Sequence, residues 1–188
     1  MLAFRNITFH NIYMEVLFIY GPAAAGKYTV GSLVSEALAM PLFHNHLVVD
    51  AVKSLFDFGT TGFKQLRADM WLDAFAAAAG QQQSFVFTFN PENSVDIDLI
   101  KTMTSKITDV DGSVYYIELQ CSEGQLISRM GADSRHQFGK LTDPDLYQQL
   151  KADGCFEFPK FCEPDLVLDT GQLTAEESAQ VILNWYPG

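Results

Sequence analysis

The feature that most constrains this chain is a junction near its start, where EVLFIY (residues 15–20) runs directly into GPAAAGKYT (residues 21–29). A short, nearly all-apolar run that stops at Gly-Pro reads as a strand buried on both faces, and such strands belong to parallel sheets covered by helices. The residues after the glycine-rich turn have helical spacing. Val30, Leu33, Val34, Ala37 and Leu38 line one face of residues 27–40, and Pro41 stops the helix. Strand, turn and helix in succession leave the turn at the carboxyl end of a strand, where open α/β sheets bind their ligands.

The alternation continues along the chain. Residues 42–44 read as a second strand and 48–58 as a helix with Val48, Val49, Val52, Leu55 and Phe56 turned inward. A longer helix over 63–79 ends at Gly80. SFVFTFN (84–90) is a third strand that stops at Asn-Pro, followed by a helix over 95–107 and the turn residues Asp111-Gly112. SVYYIELQ (113–120) and DLVLD (165–169) supply the fourth and fifth strands. Ser122 with Gln125, and Thr174 with Glu177, have the spacing of capping boxes. The expected fold is α/β: a three-layer, doubly wound domain around a five-stranded parallel sheet. One domain covers residues 14–188. Residues 1–13 form an extension that lacks the basic and apolar regions of a signal peptide, with pairing as an edge segment as the alternative.

Composition bounds the partners. Hydrophobic residues at 48% with charged residues at 19% exclude wholesale disorder. No apolar run approaches the ~20 residues of a membrane span. Twelve Lys and Arg against 23 Asp and Glu give a formal charge of -11, which repels nucleic-acid phosphates and acidic membranes, so any anion site must be local. Cys121, Cys155 and Cys162 form no CxxC pair or zinc spacing. Their odd number without a secretion signal favours a reducing cytoplasm, with Cys155 and Cys162 packed as small apolar groups.

In the glycine-bounded turn, Gly21 and Gly26 let the backbone curl so that successive N–H groups converge on one point. The next helix adds the positive end of its dipole and Lys27 a full charge. Gly21, Ala23, Ala24, Ala25, Gly26, Lys27, Tyr28 and Thr29 are therefore expected to hold nucleotide phosphates. A tight turn with an exposed lysine is the plainer alternative. The pattern G-x-x-x-x-G-K-[ST] wants a hydroxyl after the lysine as a magnesium ligand, whereas here Tyr28 stands there and Thr29 follows. The tyrosine oxygen lies several ångströms farther out.

With this loop the chain resembles the small P-loop kinases (shikimate, gluconate, adenylate and cytidylate kinases) over about residues 15–186. The resemblance implies a P-loop NTPase fold that uses ATP and Mg²⁺. The loop is most similar to the adenylate-kinase version, where glycine precedes the threonine and magnesium is held largely through water and other carboxylates. IELQCSEGQLISRMGADSRHQFGKL resembles their strand, short helix and basic lid, a lid that would span about residues 129–160. This implies Arg129 near the adenine, Arg135 on the phosphoryl group in flight, and His136 and Lys140 as further lid cations. Two of the chain's four arginines fall in this segment. A solvated helix end is the alternative for Arg129. DLVLDTGQLTAEESAQVILNWY resembles the last strand and helix of these kinases and implies Asp169, Thr170 and Gly171 behind the base, although an ordinary turn capped by Thr174 fits the residues almost as well.

The acceptor side departs from the pattern. Where shikimate kinases carry Asp-x-Asp, this chain has His44 and His46, with Asp50 one helical turn later. Imidazole ionises near neutral pH, so His46 is a candidate general base beside Asp50, and His44 a candidate acceptor contact. A zinc pair is the alternative for the two histidines. Arg67, in FKQLRADM, matches a substrate-binding arginine of these kinases; a solvent-exposed arginine paired with a nearby acid fits equally. The third strand ends in Thr88, Phe89 and Asn90 where a Walker B acid would stand, leaving Asp50 and Glu118 as candidate metal ligands. The resemblance implies an ATP-dependent phosphotransferase acting on a small-molecule acceptor. The alternatives are a nucleotide-binding module with little or no turnover that signals to a protein partner, or a weak ATPase.

Overall fold

The computed structural model describes residues 13–131 and 141–188. Five strands, β1 (Glu15–Tyr20), β2 (Leu42–His44), β3 (Phe85–Phe89), β4 (Ser113–Gln120) and β5 (Leu166–Asp169), form one parallel sheet in the order β2-β3-β1-β4-β5. The central strand β1 pairs on both sides, with Phe18 opposite Phe87 of β3 and Tyr116 of β4. The helices are α1 (Lys27–Leu38), α2 (Asn45–Lys53), α3 (Thr61–Gly80), α4 (Ile97–Thr108), α5 (Glu123–Met130), α6 (Pro144–Ala152) and α7 (Ala175–Trp185). α1 packs against α7 and α3 against α4, which gives the sheet two helical covers.

Alternate residues of β1 serve the two covers. Val16, Phe18 and Tyr20 join an aromatic cluster with Trp71 and Phe75 of α3 and Phe87 and Phe89 of β3. Within it the Phe18 ring meets Phe87 edge-on at 5.0 Å and Phe89 at 5.8 Å. Leu17 and Ile19 turn the other way onto Val30 and Val34 of α1 and Ile182 of α7. Each fully buried side chain of this size contributes about 1.5–3 kcal/mol. Burial on both faces is the reason the run is apolar without alternation.

Several element boundaries differ from those in the sequence pattern. α2 starts at Asn45, directly after β2, with His44 as an extended N-cap (φ -91°, ψ 147°) that makes no side-chain cap. Without a Ser, Thr or Asp cap, nothing in the sequence marked this start. α2 ends at Lys53, and Leu55 and Phe56, expected to face inward, are 69% and 37% exposed. The chain instead turns at Gly59 (φ 80°) into α3, whose N-cap Thr60 accepts a hydrogen bond from the Phe63 amide. α1 stops two residues early at Leu38, because Ala39 takes a left-handed cap (φ 53°). α6 was not anticipated, although Asp143 caps it and Pro144 begins it. The Ser122–Gln125 box does not form. Ser122 Oγ donates to Gln125 Oε1 at 2.8 Å while Gln125 Nε2 donates to the Gly171 carbonyl, drawing the glutamine towards the loop after β5. The Thr174–Glu177 box does form, with both reciprocal bonds.

Candidate active site

The loop between β1 and α1 is held in a shape that only some residues tolerate. Gly21 lies at φ 149°, and a Cβ there would overlap the Leu119 carbonyl of β4. Gly26 (φ 91°) is the N-cap of α1 and brings no side chain to its first amides, so those N–H groups stay open towards the cleft. Ala24 adopts φ 66°, an uncommon conformation for a residue with a Cβ. Lys27 folds back over the loop: its Nζ donates to the Gly21 carbonyl at 2.7 Å, the Pro22 carbonyl at 2.6 Å and Asn90 Oδ1 at 3.2 Å. Asn90 directly follows β3, so a neutral amide meets the lysine where an acid was sought. The ammonium is thus already at the loop, held by acceptors that an incoming phosphate can replace.

A second clamp joins the loop to the far strands. Thr170, buried after β5, donates through Oγ1 to the carbonyls of Ala25 at 2.9 Å and Gln120 at 3.1 Å. Arg129, in the last turn of α5, donates to Thr170 Oγ1 at 3.3 Å and to its carbonyl at 2.6 Å. Its Nη1 also lies 3.5 Å from Cys121 Sγ. The pair therefore fixes the loop backbone and the α5 end in one network.

The opposite wall comes from β2, α2, α3 and the chain after β3. The Tyr28 ring meets His44 edge-on, with centroids 5.0 Å apart and planes at 85°. Tyr28 is thus a partition between the loop and the histidine wall. His44 is 8% exposed. His46 Nδ1 lies 3.8 Å from Asp50 Oδ1, an ion-pair separation when the imidazole is protonated. Arg67 is only 2% exposed, in contrast to a solvated helical arginine. Its Nη1 donates to Glu92 Oε1 at 2.9 Å and Ser94 Oγ at 3.0 Å, and its Nη2 to the Ser94 carbonyl at 2.7 Å. The guanidinium also sits 5.2 Å from the Phe63 ring and 5.0 Å from Trp71. Burial lowers the Arg67 pKa from its ordinary value, and the Glu92 carboxylate counters part of that shift.

These residues share one cleft of about 880 Å³. Ala23, Ala24, Ala25, Gly26, Lys27, Tyr28, Thr29, Arg129 and Thr170 line one half, and His44, His46 and Arg67 the other. Asp50 stands behind His46. Glu118 is not brought to Asp50: it pairs with Tyr20 across β1 and β4 and lines a second hollow of about 500 Å³ with Gly21, Cys162 and Phe161. Gly171 contributes its carbonyl to Gln125, and its amide donates to Asp169 Oδ1 at 2.8 Å, which makes this a local turn. Arg135, His136 and Lys140 lie outside the described residues. Among the described residues no group of three His, Cys, Asp or Glu gathers as a metal site. The three cysteines are free.

Sequence reasoning missed Glu92 and Ser94, which follow the strand-ending Asn90-Pro91, and the cleft lysines Lys53 and Lys64. The Asn-Pro strand stop pointed to this loop, but its partner Arg67 lies 25 residues away in sequence.

No family model matches the chain. No curated protein matches it either. Solved structures do. A sugar kinase from Janibacter sp. HTCC2649 is 16% identical and superposes with a TM-score of 0.63, over 92% of this chain and 94% of that one. A shikimate kinase from Bacteroides thetaiotaomicron is 18% identical, with a TM-score of 0.61 over 91% and 97%. The APS kinase of Mycobacterium tuberculosis, solved in complex with AMPPNP and APS, is 14% identical, with a TM-score of 0.61 over 92% and 97%. At these identities the likeness is one of fold. The chain has the three-layer α/β fold of the small P-loop kinases, built on a five-stranded parallel sheet. Among the described residues no helix is long and apolar enough to cross a membrane.

Proposed function

We propose that the protein is an ATP-dependent phosphotransferase that acts on a hydroxyl of a small-molecule acceptor in a reducing cytoplasm. Residues 14–188 form its single domain, residues 1–13 an extension, and about 129–160 its lid. The observation that carries this is the continuity of one cleft: the glycine-bounded loop with Lys27 and the His44–His46 wall face each other across about 880 Å³. That is room for a nucleotide and a second ligand together.

The proposed roles draw on the shared cleft for the described residues and on the resemblance for Arg135. The loop amides and Lys27 neutralise the phosphates, and Arg129 with Thr170 borders the base. Arg135 closes over the transferred group from the lid. His46, backed by Asp50, takes the proton of the acceptor hydroxyl as its oxygen bonds to the γ-phosphorus. The bond to the β-phosphate then breaks, with its electron pair leaving on ADP. Catalysis is positioning and charge neutralisation. Thr29, Thr88 and Asn90 line the cleft with Lys27 and offer neutral oxygens, a set that would hold Mg²⁺ only weakly by itself. The ion would supply charge neutralisation at the phosphates.

The second reading is a nucleotide-binding module without turnover, signalling to a protein partner. It is favoured by Asn90 and Tyr28 at positions where direct metal ligands would stand. Calorimetry of ATP with and without Mg²⁺ separates the two. Micromolar binding strengthened by Mg²⁺ supports the phosphotransferase, and binding indifferent to Mg²⁺ supports the module. Absence of binding removes both.

A further inference from the structure

The second hollow, of about 500 Å³, lies on the Gly21–Pro22 side of the glycine-bounded loop. Of its described walls it shares only Ala23 and Phe156 with the main cleft. Its floor is the sheet. Tyr20 closes β1 and Glu118 is its register partner on β4, about 4.8 Å across the ladder, so the two side chains leave the same face. The opposite wall is the segment between α6 and β5. There the Phe161 ring meets Tyr20 edge-on at 4.9 Å and Phe158 at 5.8 Å, and Cys162 Sγ lies 3.7 Å from the Tyr20 hydroxyl. These contacts gather three rings and a thiol beside Glu118.

The Glu118 side chain is half-buried, and among the described residues its carboxylate accepts no hydrogen bond and forms no ion pair. Lys160, the one cation among the described lining residues, is taken by Glu163 at 2.5 Å. Burial raises the Tyr20 phenol above its ordinary pKa, and the Cys162 contact and the Glu118 charge add to that shift. Burial also raises the Cys162 thiol, with Glu118 again among the contributors. Both groups are therefore neutral near pH 7, and the free negative charge of the hollow belongs to Glu118.

A half-buried carboxylate without a partner is costly, and the walls decide what can meet it. An anion is repelled. A bare divalent ion needs several oxygen ligands, and among the described residues no group of three His, Cys, Asp or Glu gathers. Aromatic faces attract a cation, and Pro22, Pro91 and Pro164 add hydrocarbon surface around them. An ammonium group on a hydrocarbon body suits the acid and the rings together.

We propose that this hollow is a binding site for a small organic ammonium compound, whose charged nitrogen is met by Glu118 and whose hydrocarbon body lies against Tyr20, Phe158 and Phe161. The site goes beyond the phosphotransferase reading and stands whether or not the loop holds ATP.

The test is a titration of benzylamine into the full chain labelled at its phenylalanine rings, followed by NMR. Phe158 and Phe161 are expected to shift saturably at millimolar amine. Phe58, which lines the main cleft, and Phe75, buried in the core, are expected to stay still. Benzyl alcohol, the neutral counterpart, should bind about tenfold more weakly, and benzoate should give no response. Glu118→Gln keeps the size of the side chain and removes its charge, and should weaken amine binding by about tenfold with the thermal midpoint held. If E118Q folds poorly, the comparison of amine, alcohol and benzoate on the unaltered chain decides alone. Equal affinity for amine and alcohol, an undiminished response in folded E118Q, a shift centred on Phe58, or no saturable response at Phe158 and Phe161 would each overturn the proposal.

Discussion

The two halves of the cleft are built by different means. The half proposed to hold the nucleotide is backbone: a loop between consecutive elements, shaped by Gly21 and Gly26, with one charged side chain returning to the loop it came from. The half proposed to hold the acceptor is side chain: Arg67 from α3, Glu92 and Ser94 after β3, His44 and His46 at the start of α2. A backbone site depends on a few contiguous residues and tolerates change elsewhere. A side-chain site depends on partners far apart in sequence, and it stays intact only if all of them remain.

The sharpest contrast is expected at Arg67. Its removal leaves Glu92 unpaired and Ser94 without its donors, and strips a cation from between Phe63 and Trp71. Breaking a buried pair in this way costs about 3–5 kcal/mol. Arg67→Ala should lower the denaturant midpoint accordingly and abolish transfer, with ATP still bound by the fraction that folds. A loss under about 1 kcal/mol would show that the clasp is no more than a surface pair, and the contrast between the halves would fail.

Lys27→Ala is the converse. The side chain is bonded to two loop carbonyls and an amide, none of them charged. Its loss should cost little stability yet remove about 1.5–3 kcal/mol of ATP binding, a drop of roughly tenfold to more than a hundredfold by calorimetry. Unchanged ATP affinity would mean that the loop is only a turn.

This difference also explains what was legible in the sequence. Both faces of β1 were readable from EVLFIY, because burial on two sides leaves an unbroken apolar run. The loop was readable because its glycines and lysine are contiguous. The start of α2 was not, since His44 caps it by backbone conformation alone and carries no capping hydroxyl or carboxylate. Nor was the turn that exposes Leu55 and Phe56, because apolar residues at helical spacing imply a buried face whether or not the helix continues. The clasp was half visible. Arg67 could be singled out by its position, but its acid lies in the segment after β3, 25 residues on, and a single sequence carries no signal for that pairing.

A smaller effect is expected at the joint between the loop and the far strands. Thr170→Val keeps the shape of the side chain but removes the hydroxyl bonded to Ala25 and Gln120, leaving the Ala25 carbonyl without that donor. The cost should be about 1–3 kcal/mol in stability, with ATP affinity falling only a fewfold as the loop relaxes. If the fold loses stability and ATP binding does not change, the clamp serves the sheet and not the loop.

The least change is expected at Tyr28, which stands on the boundary. Tyr28→Ser restores a hydroxyl next to the lysine at a distance from the backbone that can reach a metal ion on the β- and γ-phosphates. It also removes the edge-on contact with His44, worth about 0.5–1.5 kcal/mol. The two consequences fall on opposite halves. The strengthening of ATP binding by Mg²⁺ should rise by about threefold to tenfold, while the KM for the acceptor rises because the histidine wall loses its support. Were the Mg²⁺ effect to stay constant as acceptor KM rose, the tyrosine would be a partition alone and the metal would be held entirely through water. Were both to stay constant, the boundary drawn at Tyr28 would be misplaced, and the two halves of the cleft would be a single site.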